Sequence, residues 1–135
     1  MYVKFSLYYY VSMENSVTLN NDGIIEIHVV GDQNYDSVHI MGRDTKRLLE
    51  MLGTQGKPQL ILDNVTKLGV TDIAARRAVT ELAHTLSYQK VAMLGDGSIM
   101  MRVATNLLLR AIGKGDKIRY FEDRLKANAW LFSNT

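Results

Sequence analysis

The sequence feature that most constrains the fold is a short apolar run that ends in an aspartate and leads, through a polar turn, into a helix. The run covers residues 60–62 and ends at Asp63, and the helix opens on Thr71 and Asp72. An all-apolar run of this length is typical of a strand that is buried on both faces of a parallel sheet. The sequence therefore predicts a buried strand over residues 60–62 and, because functional residues concentrate in loops, a functional loop over residues 64–72.

Further strands and helices alternate along the rest of the chain. Short apolar runs and apolar alternation predict strands over residues 17–19, 24–30, 91–94 and 118–121. Helical spacing predicts helices over residues 35–52 and 72–86, from the turn at residues 95–98 to about residue 112, and after Asp123. This alternation predicts an α/β fold, with a mixed, mostly parallel sheet and about four helices in a single domain over residues 16–135.

Glycines and helical phase add finer predictions. Gly23 predicts a tight hairpin turn between the first two strands, because glycine supplies the positive φ angle that such turns need. Gly53 is expected to end the first helix. In the third helix, the spacing predicts an inward-facing stripe of Met100, Val103, Leu107, Leu108 and Ala111.

Composition argues against several classes of function. The chain has no cysteine, which excludes disulfides, thiolate chemistry and zinc sites of the cysteine type. Its three histidines lie in three different predicted elements, so we expect no metal site and no cofactor. A net charge of only +2 argues against a dedicated nucleic-acid binder. No segment approaches the ~20 apolar residues of a membrane span, and no signal-peptide cleavage pattern is present, so we expect a cytoplasmic protein.

The two ends of the chain differ from its middle. Residues 1–15 are apolar and rich in tyrosine, and we interpret them as a strand or an interaction segment that contributes to a homodimer. Residues 101–126 hold seven Lys and Arg against three Asp and Glu. Ordinary solvation is the preferred interpretation of this basic region, and weak, salt-sensitive attachment to anionic lipid headgroups is the alternative.

One set of segments has an order and spacing specific to a known family. These segments are Val30-Gly31-Asp32, the strand at residues 60–63, Thr71-Asp72, Met93-Leu94-Gly95, and Tyr120-Phe121-Glu122-Asp123 with Ala127, Ala129, Trp130 and Leu131. Together they resemble the STAS domain (sulphate transporter and anti-sigma-factor antagonist), most closely its SpoIIAA-like branch, over about residues 16–132. The resemblance implies the same α/β fold and, because STAS proteins are mostly not enzymes, a non-catalytic regulatory or protein-interaction module.

The resemblance also implies a site. Anti-sigma-factor antagonists bind a kinase partner and are switched off by phosphorylation of a serine at the start of the second helix. With Asp63 placed on the family's strand-end aspartate, the acceptor position falls on Asp72, which cannot accept phosphate from a serine kinase, and Thr71 is the nearest hydroxyl. We therefore expect a regulatory kinase or another signalling protein as partner, without the standard phosphoserine switch. The partner-binding loop and helix would include Asn64, Lys67, Arg76 and Arg77.

Other interpretations of the same residues stay open. Thr71 and Asp72 also suit a plain helix N-cap. The turn after the fourth strand is either an anion or ligand site or only a tight, capped turn. The residues of that candidate site are Asp96, Gly97, Ser98 and Arg102.

The chief alternative function is a small-ligand or lipid-binding module of the same fold. Its site would lie between the third helix and the sheet, lined by Met100, Val103 and Leu107. A magnesium-dependent phosphotransfer site built from aspartates at the strand ends is a further alternative, namely Asp63, Asp72 and Asp96. Because no catalytic order of Ser, His and Asp appears in the sequence, we expect no enzyme activity.

Overall fold

The computed structural model describes residues 14–134. The prediction of an apolar strand or interaction segment over residues 1–15 therefore lies outside the described residues, except for Glu14 and Asn15. The elements in chain order are β1 (Ser16–Leu19), β2 (Ile25–Gln33), α1 (Tyr35–Thr54), β3 (Leu60–Thr71), α2 (Ile73–Thr85), β4 (Lys90–Leu94), α3 (Ile99–Ile112), β5 (Ile118–Phe121) and α4 (Arg124–Leu131).

Within residues 14–134, five strands form one sheet in the order β1-β2-β3-β4-β5. β1 is antiparallel to β2, whereas the β2–β3, β3–β4 and β4–β5 pairs are parallel. A helix joins each parallel pair, because parallel strands need a long crossover connection. The predicted α/β fold, with a mixed, mostly parallel sheet and four helices, is confirmed.

Both faces of the sheet are covered, which explains why its central strands are apolar throughout. On one face, Ile61 and Val65 of β3 belong to a core cluster with Leu52 of α1, to which α2 and α3 also contribute. On the other face, Leu62 of β3 belongs to a cluster with Trp130 of α4. Successive residues of β3 therefore face opposite layers of helix.

The two glycine predictions have different outcomes. The hairpin between β1 and β2 is confirmed: Gly23 has a φ angle of +80°, and its amide N–H donates to the carbonyl of Asn20 at 3.1 Å. The predicted end of α1 at Gly53 is wrong, because the helix continues to Thr54. The left-handed residue after this helix is Gly56, with a φ angle of +66°.

β3 extends much further than the sequence predicts. It runs over Leu60–Thr71, so the predicted loop over residues 64–72 is largely strand. The cause is a long parallel pairing with β2, which continues through two register irregularities until Gln33 lies opposite Thr71. β4 pairs with residues 60–64 of β3, so among the described residues 14–134 the segment 65–71 has a neighbouring strand only on the β2 side.

The last part of β3 is held against β2 by a close approach of the two backbones. The amide N–H of Val70 donates to Asp32 Oδ1 at 2.7 Å. A Cβ atom on Gly69 would lie 3.0 Å from the backbone nitrogen of Asp32 and 3.0 Å from the carbonyl carbon of Gly31. The approach therefore requires a residue without a side chain at position 69.

The inward face of α3 also differs from the prediction. Met100, Val103 and Leu107 are largely exposed, as is Ala111. The residues that are buried or packed against the core are Met101, Thr105, Leu108, Leu109 and Ile112. Only Leu108 of the predicted stripe packs inward. Because α3 is apolar around most of its circumference, helical spacing alone cannot decide which stripe faces the sheet.

Replacing Gly69 with alanine should destabilise the fold, because the new Cβ would collide with Asp32. We expect the free energy of unfolding to fall by about 1–3 kcal/mol, as measured by urea denaturation. Gly115→Ala is the matched control, since a Cβ at Gly115 meets no atom within 4 Å; its stability should stay within about 0.5 kcal/mol of wild type. Equal stabilities of the two variants would contradict the close packing of β2 against β3.

Candidate functional site

The start of α2 is built as a capped helix end. Asp72 is the N-cap residue, and its Oδ1 accepts a hydrogen bond from the amide N–H of Ala75 at 2.7 Å. The side chain of Arg76 turns back, so that its Nε donates to the carbonyl of Thr71 at 3.1 Å. The N-cap interpretation of Asp72 is thus confirmed, whereas a switch or partner-contact role for Thr71 and Asp72 stays a prediction.

Two exposed apolar side chains flank this cap. Val70, near the end of β3, and Ile73, the first residue of α2, are each 70% exposed. The predicted basic residues Arg76 and Arg77 follow on α2 and are exposed as well. We call these four residues the β3–α2 surface.

Neither Val70 nor Ile73 stands out in the sequence as a candidate contact residue. For Ile73 a signal exists in the helical phase: at about 100° per residue, it lies opposite the side of α2 that carries Ala75 and Ala78. Both alanines are buried. For Val70 no such signal exists, because a predicted loop assigns no direction to its side chains.

The predicted partner-binding residues Asn64 and Lys67 lie in β3, not in a loop, and their role in partner binding stays a prediction. Both are strand residues, and with His28 they line a cavity of about 130 Å³. Strand alternation places Asn64 on the same side of the sheet as Leu62, which faces α4. The predicted set is therefore divided between the two sides of the sheet, since its arginines belong to α2.

The turn after β4 is tight and capped. Asp96 Oδ1 accepts a hydrogen bond from the amide N–H of Ser98 at 2.9 Å, and Ser98 Oγ accepts one from the amide of Met101 at 3.1 Å. Gly97 has a φ angle of +81°, and its amide donates to the hydroxyl of Tyr120 at 3.4 Å. Three of the amide groups that a bound anion could use at this helix start, those of Gly97, Ser98 and Met101, are thus already paired within the protein.

Arg102 is directed to a carboxylate near this turn. Its Nη2 donates to Glu122 Oε2 at 3.0 Å, and its Nε donates to Glu122 Oε1. The hydrogen bonds from Arg102 lower the pKa of Glu122. The geometry at Asp96, Gly97 and Ser98 therefore favours the capped turn, and anion binding there stays an untested prediction.

Other basic residues of the carboxyl-terminal third are also engaged. Arg124 donates two hydrogen bonds to the carboxylate of Glu26, at 2.8 and 3.2 Å, and these lower the pKa of Glu26 to about 2. The guanidinium of Arg119 lies 5.0 Å from the centre of the Trp130 ring, within range of a cation–π contact. These contacts favour a structural role for the basic region over attachment to an anionic surface.

Asp63 carries a carboxyl group in apolar surroundings. It lies within β3, not at its end, and its neighbours on the adjacent strands are Ile27 and Met93. Its Oδ1 is buried and has no hydrogen-bond partner among the described residues. Burial raises the pKa of this carboxyl from 3.8 to about 7. Asp63 therefore changes its charge near neutral pH.

The three aspartates of the predicted magnesium site lie in separate surroundings. Asp63 is inside the sheet, Asp72 caps α2, and Asp96 closes the turn after β4. In the described part of the chain, no group of three His, Asp or Glu side chains is placed to bind a metal ion, so this alternative is wrong there. None of the helices in residues 14–134 is both long enough and apolar enough to cross a membrane.

Comparison with known proteins supports the fold. No protein-family model matches the chain, and the comparison with curated proteins finds no match. Among solved structures, the chain is similar to the crystal structure of an uncharacterized DUF3478-family protein from Shewanella loihica PV-4, described as having a SpoIIAA-like fold. The TM-score is 0.57 at 20% sequence identity, over 87% of this chain and 92% of that one. The chain thus has a SpoIIAA-like fold, as its sequence motifs predict.

Removing the charge of Asp63 should change how stability depends on pH. The native carboxyl titrates at about 7 and the unfolded one at 3.8, so the native state holds a proton that the unfolded state releases between these values. Stability should therefore fall as pH rises from about 4 to about 7. Asp63→Asn should abolish this fall and exceed wild type by a few kcal/mol at pH 8, because each tenfold change in an acid constant is worth about 1.4 kcal/mol.

The measurement is urea denaturation at a series of pH values between 4 and 8 for wild type and Asp63→Asn. Asp22→Asn, in the exposed turn between β1 and β2, is the matched control and should follow the wild-type profile. Parallel pH profiles for wild type and Asp63→Asn would show that the carboxyl is not isolated from solvent as described.

Proposed function

We propose that the protein is a non-catalytic regulatory module that acts in the cytoplasm and binds a protein partner through the β3–α2 surface. Anti-sigma-factor antagonists, which the sequence resembles, act in this way. The observation that carries the proposal is the pair of exposed apolar side chains, Val70 and Ile73, at a point where β4 no longer pairs with β3. The partner would be a regulatory kinase or another signalling protein.

The backbone of β3 supports this proposal. Its pairing with β4 stops at Asn64, opposite Leu94, whereas its pairing with β2 continues to Thr71. An extended segment of a partner can lie beside such a strand edge, where it gains backbone hydrogen bonds and places alternate side chains against the surface. Val70 is part of this segment of β3 and would contact the added strand.

The side chains of the surface indicate the chemistry of the partner segment. Val70 and Ile73 favour apolar side chains opposite them, since burying both would remove exposed apolar area from water. Arg76 and Arg77 are exposed beside them, and the amino-terminal end of α2 adds the partial positive charge of the helix dipole. A segment that carries both apolar and acidic residues fits this surface best.

A non-catalytic role fits the carboxylates near this edge. Asp72 is engaged in capping α2, and Asp96 is engaged in the turn after β4. Asp63 lies between apolar residues of neighbouring strands. The position of each of these three carboxylates can therefore be explained without a bound substrate.

The alternative of a ligand or lipid site beneath α3 loses the lining that the sequence predicts for it. Met100, Val103 and Leu107 face away from the sheet. A cavity of about 130 Å³ lies beside His28, and one of about 230 Å³ lies near Glu50, away from α3 in both cases. We therefore prefer the protein-binding function.

Asp72→Ser should create a form that a kinase of the source cells can phosphorylate, because it restores a hydroxyl at the acceptor position. Serine caps a helix about as well as aspartate, so α2 should stay intact. Mass spectrometry of protein isolated from source cells should find phosphate on the serine variant and none on wild type or on Asp72→Asn. Phosphate on Thr71 in wild type would instead restore the ordinary switch.

Ile73→Asp should disrupt partner binding, because it places a charge in the apolar centre of the β3–α2 surface. We expect affinity for a partner isolated from source cells to fall about tenfold or more, measured by calorimetry. Leu125→Asp is the matched control, since Leu125 is 79% exposed on α4, on the opposite side of the sheet. Unchanged affinity of Ile73→Asp would show that the partner binds elsewhere.

A further inference from the structure

The outer face of α3 carries a stripe of large apolar side chains that the described residues leave uncovered. The exposed fraction rises from 54% at Val103 to 83% at Met100, with Leu107 at 61% and Ile99 at 78%. We call these four residues the α3 face. A contiguous apolar stripe on an exposed helix is typical of an interaction surface, whereas single exposed apolar residues are not.

We infer that the α3 face is a homodimer contact, in which α3 packs antiparallel against α3 of a second copy of the chain. This inference goes beyond the proposed function, because it uses a different helix and a different partner. It also differs from the predicted homodimer contact through residues 1–15.

The spacing of the stripe suits a two-fold axis. In such an interface, if one residue contacts another of the second copy, the reverse contact is also made. An antiparallel register that sets Met100 against Leu107 of the second copy also sets Val103 against Ala104 of the second copy. The small side chain of Ala104, which is exposed, lets the helix backbones approach where the two-fold axis passes.

The charges next to the stripe favour the same register. It brings Arg110, exposed near the end of α3, beside Asp96, exposed just before its start, on the second copy. Arg102, the other arginine of α3, is already paired with Glu122 and adds little repulsion. A parallel arrangement would set Arg110 against Arg110, and an anionic lipid surface would attract Arg110 but repel Asp96. Only the antiparallel dimer gives both charges an opposite partner.

The size of the contact predicts its strength. α3 has 14 residues and is therefore about 21 Å long. Two such helices would bury on the order of 1,000 Å² in total, which is at the low end for specific complexes. The dimer should therefore be weak and depend on concentration.

Sedimentation velocity of the full chain over a concentration series tests the inference. Wild type should shift from monomer towards dimer as concentration rises, and Leu107→Glu should weaken dimerisation about tenfold or more. Leu107 is exposed, so this change should leave the fold intact, which circular dichroism can check. Leu125→Glu adds the same charge at an exposed position of α4 and should dimerise like wild type.

A charge exchange tests the antiparallel register. Arg110→Glu and Asp96→Lys should each weaken dimerisation a few-fold, because each sets like charges against each other, and the double variant should recover most of the loss. No recovery in the double variant would overturn the register.

Three results would overturn the homodimer itself. The first is a monomer at every concentration. The second is a dimer that survives Leu107→Glu but is lost when residues 1–12 are deleted. The third is a monomeric wild type that sediments with anionic phosphatidylserine vesicles while Leu107→Glu does not, which would make the α3 face a membrane contact.

Discussion

The long parallel pairing of β2 with β3 is the constraint on which the candidate site depends. It carries β3 beyond the end of its pairing with β4 and brings Thr71 opposite Gln33, next to the N-cap of α1. The carboxyl ends of these two strands therefore lead directly into α1 and α2 at the same edge of the sheet. Had β3 ended at residue 62, Val70 would belong to a loop with no fixed direction, and the β3–α2 surface would not exist.

Burial on both faces gives β3 its apolar character and also makes the ionised form of Asp63 energetically unfavourable. The residues on either side of it, Leu62 and Asn64, point to the α4 side, whereas Asp63 points to the side of α1 and α3, between Ile27 and Met93. An ionised carboxylate there has no hydrogen-bond donor for its buried Oδ1 among the described residues. The fold tolerates it because protonation near neutral pH removes the charge. The aspartate in this parallel strand therefore indicates an unfavourable position for a negative charge more directly than it indicates a catalytic site.

Much of the fold could be predicted because its signals are local. The strand at Ile118–Phe121 is predicted to the residue, since a short segment rich in β-branched and aromatic residues between turn residues has few alternatives. The extension of β3 and the direction of α3 could not be predicted in this way, because both depend on distant partners. β2 decides where β3 ends, and the sheet decides which of two apolar stripes on α3 it buries. The candidate site was predicted in part: Asp72 and the arginines of α2 lie where expected, but Asn64 is a strand residue on the α4 side of the sheet.

The two proposed contacts, the β3–α2 surface and the α3 face, begin at the same edge of the sheet and are therefore close enough to influence each other. Ile73 opens α2 and Ile99 opens α3, and both helices follow parallel strands that pair with each other, so their capped starts face the same way. In the antiparallel dimer, the end of α3 from one copy lies beside the start of α3 in the other, close to this edge. If the second copy reaches the β3–α2 surface, dimerisation and partner binding must each weaken the other by the same factor, because coupling between two binding equilibria is reciprocal. A weak dimer is then suited to regulation, since a partner of ordinary affinity can displace it.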